Sequence, residues 1–218
     1  MGLTFRSLEL VEKTLTHLNL VDKKVKMGEL GSQTWRKKTF LGIPRFEQYN
    51  VERIGAKKYF ESIGFEHVSF DISGQHDCLY TDLSKIQDNW QGYFDIVTNF
   101  GTTEHVKNGQ YEVFANVHNF VKTSGAMIHV VPAFLSRRKP YRGHPYFRCV
   151  HYVPDFFTKL AKLNGYDIFS DETHNGQIYS VLIKVNDKPF CSKKDFWSID
   201  GVVDLSLGQS LTNEKYEI

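Results

Sequence analysis

VKMGELGSQTW, residues 25–35, decides how the rest of the chain is read. Val25 and Met27 form a short apolar run that ends on Glu29, with Gly28 just before the acid and Gly31 two residues after it. The outline is that of a strand running into a cofactor-binding turn, where glycine lets the backbone pass close beneath a ligand. Turns of that kind usually hold two or three glycines. Beyond the acid this one holds Gly31 alone, and Gln33 stands two residues further on. A strand end that merely shares the outline is the competing reading.

Outward from this strand, helical and extended patterns alternate. Upstream, SLELVEKTLTHLNL (7–20) sets Leu8, Val11, Leu15 and Leu18 at helical spacing with Ser7 as cap, predicting an amphipathic helix over the edge or mouth of the domain. Downstream, Trp35, Phe40, Phe46 and Tyr49 lie among basic residues in a stretch broken by Gly42 and Pro44, a loop or short-helix insertion over 35–50. IGAKKYFESIG is then helical and stops at Gly64. FEHVSFDISG is a second strand with Asp71 at its C-terminal end, CLYTDLSK a short third ending at Asp82, and YFDIVTNFG a fourth with Phe94, Ile96 and Val97 buried.

NGQYEVFANVHNFVKTSG carries Tyr111, Phe114, Val117, Phe120 and Val121 on one helical face, with Gly125 as its stop. AMIHVVP is the fifth strand, closed by Pro132. A polar, proline-broken loop covers 133–153, and DFFTKLAKLNG is a helix ended by Gly165. YDIFSDE and IYSVLIKV are strands joined by THNGQ, whose Asn175-Gly176 pair is a hairpin signal. After Phe190 the pattern fades into a loosely held tail. Alternation followed by two adjacent strands predicts an α/β fold: a doubly wound, mostly parallel seven-stranded sheet with helices on both faces, in which the C-terminal hairpin makes one edge strand antiparallel. Residues 1–22 form an N-terminal helical segment, 23–187 the Rossmann-like domain, and 188–218 the tail.

The chain has 218 residues, room for one domain with a full core. Its net charge of +2 is too small for a large nucleic-acid footprint. Cys78, Cys149 and Cys191 are unclustered, and the histidines lack ligand spacing, so neither a disulfide framework nor a metal site is expected. MGLTFRS has Arg6 where an acylation site needs Ser or Thr, and no apolar run suggests a signal peptide or a membrane span. A cytoplasmic protein is the simplest reading.

In a doubly wound sheet, ligands bind at the carboxyl ends of the strands near the reversal of winding. Glu29, Asp71, Asp82 and Asn99 occupy that place on four successive strands. Any one of them reads equally as a cap or turn residue; four together favour a ligand. The order of segments resembles a class I S-adenosylmethionine-dependent methyltransferase, with VKMGELGSQ, VSFDIS, CLYTDLSK and YFDIVTNFGTTEHV similar to that family's first four motifs over roughly residues 22–186. The terminal antiparallel hairpin is also a mark of that family.

The resemblance implies that Glu29 lies near the amino group of the cofactor's methionine part, with the Gly31 backbone close beneath it. It implies that Asp71 holds the ribose hydroxyls and Ile72 packs on adenine. Asp82 and Leu83 would then lie along the adenine edge, and Asn99 below the sulfonium. Where Gln33 stands the family usually has a second glycine; a Gln there leaves room or donates a hydrogen bond to the cofactor carboxylate.

The family shares no single catalytic residue. His105, after the fourth strand, is either structural or a base. In the 133–153 loop His144 and His151 lie among Arg137, Arg138, Lys139, Arg142, Tyr141, Tyr146, Phe147 and Tyr152, which reads as a solvated basic loop or as an acceptor pocket for an anionic or planar substrate. The expected activity is methyl transfer to a small-molecule or sugar-like acceptor, and the alternative is a non-catalytic partner subunit of the same fold. A nicotinamide oxidoreductase would need a G-x-G-x-x-G turn that GELGSQ does not supply. Exposed aromatics in the insertion, together with the N-terminal helix, are a candidate homodimer surface.

Overall fold

The computed structural model describes residues 3–36, 53–106, 108–134, 150–204 and 209–210. After helix α1 (Phe5–His17) come strand β1 (Lys26–Leu30), the short strands β2 (Thr34–Arg36) and β3 (Arg53–Gly55), helix α2 (Ala56–Ser62), and strands β4 (Glu66–Asp71), β5 (Leu79–Tyr80) and β6 (Phe94–Phe100). Helix α3 (Gln110–Phe120) leads directly into β7 (Val121–Pro132). Then follow β8 (Val150–Tyr152), helix α4 (Phe156–Asn164), β9 (Asp167–His174), β10 (Gln177–Ile183), helix α5 (Lys193–Trp197), β11 (Val202–Asp204) and β12 (Gln209–Ser210).

Seven strands form the main sheet in the order β5-β4-β1-β6-β7-β10-β9. β4, β5, β1, β6 and β7 pair in parallel, and β10 runs antiparallel to both of its neighbours. The antiparallel strand therefore lies one in from the edge, and edge strand β9 runs with the parallel set. The hairpin turn forms as its Asn-Gly pair dictates, with φ of 49° at Asn175 and 75° at Gly176.

Both faces are covered. α1 and α2 pack over Met27, Ile96, Phe100, Ile128, Val130 and Val181, while α3, α4 and α5 cover Leu30, Phe70, Val97, Met127, Val131 and Leu182. Met127 and Ile128 fall on opposite sides because successive strand side chains alternate. α1 starts on a reciprocal cap: Thr4 Oγ1 accepts the Ser7 N–H at 3.2 Å, and Ser7 Oγ accepts the Thr4 N–H at 2.8 Å. Thr4, not Ser7, is the cap. The helix lies on the sheet face, tied toward β9 by Arg6 to Glu172 at 2.6 Å and by His17 stacked on Phe169.

Two further expectations are corrected. Gly125 does not stop α3, which ends at Phe120, where the β-branched Val121 opens β7 and pairs with Phe94. Gly125 instead lets β7 pass close to β6: a Cβ there would sit 2.7 Å from the Asp95 carbonyl oxygen. The C-terminal residues are not a loose tail as far as Asp204. Ser192 caps α5, Phe196, Trp197 and Ile199 are buried, and β11 pairs with β8 in register Val202–Tyr152, Val203–His151 and Asp204–Val150. That sequence shows no periodicity because its elements are five and three residues long. Among the described residues no helix is long and apolar enough to cross a membrane.

Candidate functional site

β1 brings Glu29 to the middle of the sheet, paired with Ser69 of β4 on one side and Thr98 of β6 on the other. The carboxylate is fully buried. Oε2 accepts from Ser69 Oγ at 3.2 Å, more weakly from the Gln33 N–H at 3.5 Å, and faces His67 Nε2 at 3.8 Å. Oε1 meets no hydrogen-bond donor among the described residues. Burial pushes the Glu29 carboxyl up to about 8, against the pull of the Gln33 and Ser69 donors, and the nearby Asp71 charge adds to the rise. Burial likewise pushes His67 down to about 3. At 3.8 Å the two look like an ion pair, yet burial penalises both charges, so the neutral forms are favoured near pH 7. Oε1 is therefore a buried oxygen whose hydrogen-bonding capacity is unused among the described residues.

Directly above lies the turn. Gly31 has φ +79°, donates its N–H to the Phe70 carbonyl at 2.7 Å, and would place a Cβ only 2.3 Å from Thr102 Oγ1. That position requires glycine on conformational and steric grounds together. Gln33 is buried: its N–H serves Glu29, and its side-chain amide reaches back across the turn to Thr102 Oγ1 at 3.3 Å, which in turn donates to the Leu30 carbonyl at 2.7 Å. The Gln33 side-chain amide is thus engaged within the protein.

At the end of β4, Asp71 gathers two backbone donors, Ser32 N–H on Oδ2 at 2.8 Å and Ser73 N–H on Oδ1 at 2.7 Å. Partial burial would raise its pKa, but the Ser73 and Ser32 donors outweigh it and hold the group below the usual carboxylate range. The Ser73 hydroxyl bonds the same carboxylate and adds to that lowering. Ile72, next in the chain, is 63% exposed. Glu29, Gly31, Gln33 and Asp71 are therefore brought together across β1 and β4, with Ile72 open beside them.

Asp82, Leu83 and Asn99 are placed differently. Asp82 Oδ1 accepts from the Ser84 hydroxyl at 2.6 Å and the Ser84 N–H at 3.1 Å, which holds its pKa down and closes the following turn. Leu83 is buried in the core under α3. Asn99 Oδ1 accepts the N–H groups of Thr102 and Thr103, each at 3.2 Å, while Nδ2 reaches Thr103 Oγ1 at 2.9 Å and His129 Nδ1 at 3.2 Å. The network continues through Tyr152, whose hydroxyl bridges Thr103 Oγ1 at 2.9 Å and Gln110 Oε1 at 2.7 Å. Asn99 is thus bonded within the protein through both its side-chain oxygen and its side-chain nitrogen. Its partners are the turn at Thr102 and Thr103 and, on the neighbouring strand, His129 of β7.

His105 follows β6 in a 3-10 turn, partly exposed, with Nε2 4.0 Å from Glu104 Oε1. His151 sits on β8, opposite Val203, and is half-buried. His144, Arg137, Arg138, Lys139, Arg142, Tyr141, Tyr146 and Phe147 lie outside the described residues, as do Phe40, Phe46 and Tyr49 of the 35–50 insertion. The roots of both segments are described. β2 pairs with β3, and the Ala56 N–H reaches the Gln33 carbonyl at 2.9 Å; the Phe134 N–H reaches the Tyr152 carbonyl at 2.7 Å. Among the described residues no cluster of His, Cys, Asp or Glu could hold a metal ion.

The strand order, with its antiparallel β10, is the fold of class I S-adenosylmethionine-dependent methyltransferases. Solved structures of that class superpose on most of the chain. A Burkholderia thailandensis 1,6-didemethyltoxoflavin-N1-methyltransferase, solved with 1,6-didemethyltoxoflavin and S-adenosylhomocysteine bound, matches with TM-score 0.53 and 12% identity, covering 83% of this chain and 78% of that one. A TehB-like S-adenosylmethionine-dependent methyltransferase from Corynebacterium glutamicum gives 0.51 at 12% identity, over 84% and 89%. An O-methyltransferase family protein from B. thailandensis gives 0.52 at 9%, over 84% and 59%. No family model matches the sequence. No curated protein matches it.

His67 and Ser69 were not singled out by sequence reasoning, although the signal was there. In FEHVSFD the polar residues His67, Ser69 and Asp71 alternate, which sets them on one face of a strand beside Glu29. The Thr103, His129, Tyr152 and Gln110 network had no such signal, since its members come from four separate elements.

Proposed function

We propose that this protein transfers a methyl group from S-adenosylmethionine to a small-molecule or sugar-like acceptor. The observation that carries the reading is the buried Glu29 carboxylate with Oε1 left open beneath a turn that only glycine can make. An ammonium is the group that such an oxygen accepts, and the cofactor's methionine part carries one. Asp71, held ionised by the Ser73 and Ser32 donors, stands where the ribose hydroxyls would bind, and Ile72 offers an exposed apolar surface for adenine. The residues present fit the cofactor. Gly31 would lie under its methionine part, and Gln33 would hold the turn through Thr102 rather than touch the ligand.

The cofactor supplies an electrophilic methyl on sulfur; the protein's task is orientation. Holding acceptor and methyl in line can contribute about 7–11 kcal/mol of the barrier. An acceptor hydroxyl would also need a base, for which His105, His151 and His144 are the candidates, at the carboxyl ends of the later strands or in the 133–153 segment. The small net charge favours a small acceptor over a nucleic acid.

A second reading, a non-catalytic partner subunit of the same fold, draws support from Gln33 at the second-glycine position and from Asp82 and Asn99 being engaged in structural contacts. Isothermal titration with S-adenosylmethionine and S-adenosylhomocysteine separates the two. Micromolar binding to the wild type, lost in Asp71→Ala protein shown to be folded by circular dichroism, supports the enzyme; no heat with either ligand supports the partner subunit.

A further inference from the structure

The Glu29 carboxylate is loaded unevenly. Ser69 Oγ, the Gln33 N–H and His67 Nε2 all converge on Oε2, and Oε1 faces none of them. His67 is the unusual member. It is buried inside β4, its ring lies parallel to Phe60 at a centroid distance of 5.4 Å, and neither ring nitrogen makes a hydrogen bond among the described residues. A buried imidazole with two idle nitrogens is costly unless one of them has work in another state of the molecule. At 3.8 Å from Oε2, Nε2 needs only a small side-chain shift to close a hydrogen bond.

We propose that His67 is a positioning residue for cofactor binding: its Nε2–H takes hold of Glu29 Oε2 when the carboxyl ionises, fixing Oε1 toward the ligand's ammonium. The inference rests on the cofactor reading above. In the free protein neutral His67 keeps its own proton on Nε2, and the Glu29 carboxyl carries a second proton. On binding, that proton leaves to solvent, the carboxylate faces the ammonium through Oε1, and His67 stays neutral as the Nε2–H tautomer. Charge is conserved at the carboxyl: one ammonium arrives at Oε1 and one proton departs.

The other groups acting on the pair are few. Asp71 at the end of β4 raises the Glu29 carboxyl, and Lys57 of α2 lowers His67. β6 brings only the Thr98 hydroxyl into the neighbouring register, and α2 adds the buried Tyr59 to the same core.

The test is the affinity for S-adenosylhomocysteine between about pH 6 and 9 in wild type, His67→Phe and His67→Gln. Binding should weaken as pH falls through the Glu29 midpoint, because the ammonium needs the carboxylate. Phe keeps the stack on Phe60 but removes the donor, so the midpoint should move about one pH unit upward, roughly a tenfold loss of affinity at pH 7. Gln keeps a donor nitrogen near the Nε2 position and should restore the wild-type midpoint. Nitrogen-15 spectra of the wild-type complex provide a check that needs no variant to fold, and they should show a neutral Nε2–H ring for His67.

An unmoved midpoint in His67→Phe, or an imidazolium or Nδ1–H ring in the complex, overturns the proposal while leaving the cofactor reading intact. A folded wild type that binds nothing at any pH removes the cofactor reading, and this inference with it.

Discussion

The strand ends of β1 and β4 and those of β6 and β7 lie side by side in one sheet, yet they treat polar groups in opposite ways. Around Asn99 each side-chain atom has a partner: two backbone N–H groups, a threonine hydroxyl and a histidine. Around Glu29 a fully buried carboxyl keeps one oxygen without a partner among the described residues, and sits beside an imidazole that makes no hydrogen bond among them. A saturated network stabilises; an unsaturated one is a cost that folding alone does not justify and that a ligand can remove. On the proposed function, the first region is scaffold and the second binds, although both stand at the same height in the sheet.

Exchanging the two roles by mutation should fail in opposite directions. Glu29→Gln removes the charge that an ammonium needs, and affinity for S-adenosylhomocysteine should fall on the order of 100-fold or more, about 3 kcal/mol. Its melting temperature at about pH 8.5 should equal or exceed that of the wild type, because a buried ionised group is gone. Asn99→Ala should do the reverse. It orphans the Thr102 and Thr103 N–H groups and should cost about 2–3 kcal/mol of stability, read as a drop of roughly 5–10 °C in melting temperature.

The turn between the regions gives a smaller effect. Gly31→Ala should cost about 2 kcal/mol from its left-handed φ and the approach to Thr102. Adding Thr102→Ala should recover only the steric part in a denaturant-unfolding comparison.

The subtlest expectation is the pH profile. Glu29 is raised from 4.5 to about 8, so its contribution is complete below pH 4.5 and is lost as pH rises through 8. His67 and His129, each lowered from 6.5 to about 3, and His118, lowered to about 4, contribute fully above 6.5 and lose that contribution as pH falls. Stability should therefore peak near pH 6.5, and the decline from there to pH 8 should vanish in Glu29→Gln.

Most of the fold was legible because its signals are local. Short runs rich in Val, Ile and Phe marked the strands, Gly165 marked the end of α4 with φ 68°, and Asn175-Gly176 marked the hairpin. Gly125 misled because a glycine that stops a helix and one that permits close strand packing look alike until the neighbouring strand is in place. Residues 192–204 misled because their apolar side chains lie in elements too short to show a period. At the site, sequence gave the height of Glu29, Asp71, Asp82 and Asn99 in the sheet but not their partners. Hydrogen bonds to Ser84, His129 or Thr103 are set by tertiary packing, and they separate a ligand-facing side chain from a structural one.

The most direct measurement is the binding isotherm of S-adenosylhomocysteine at about pH 8.5 on wild type and Glu29→Gln, both shown to be folded. The account predicts micromolar binding to the wild type and none to a Glu29→Gln protein that melts at the same temperature or higher. Equal binding by both proteins, or no binding by a folded wild type, would contradict it.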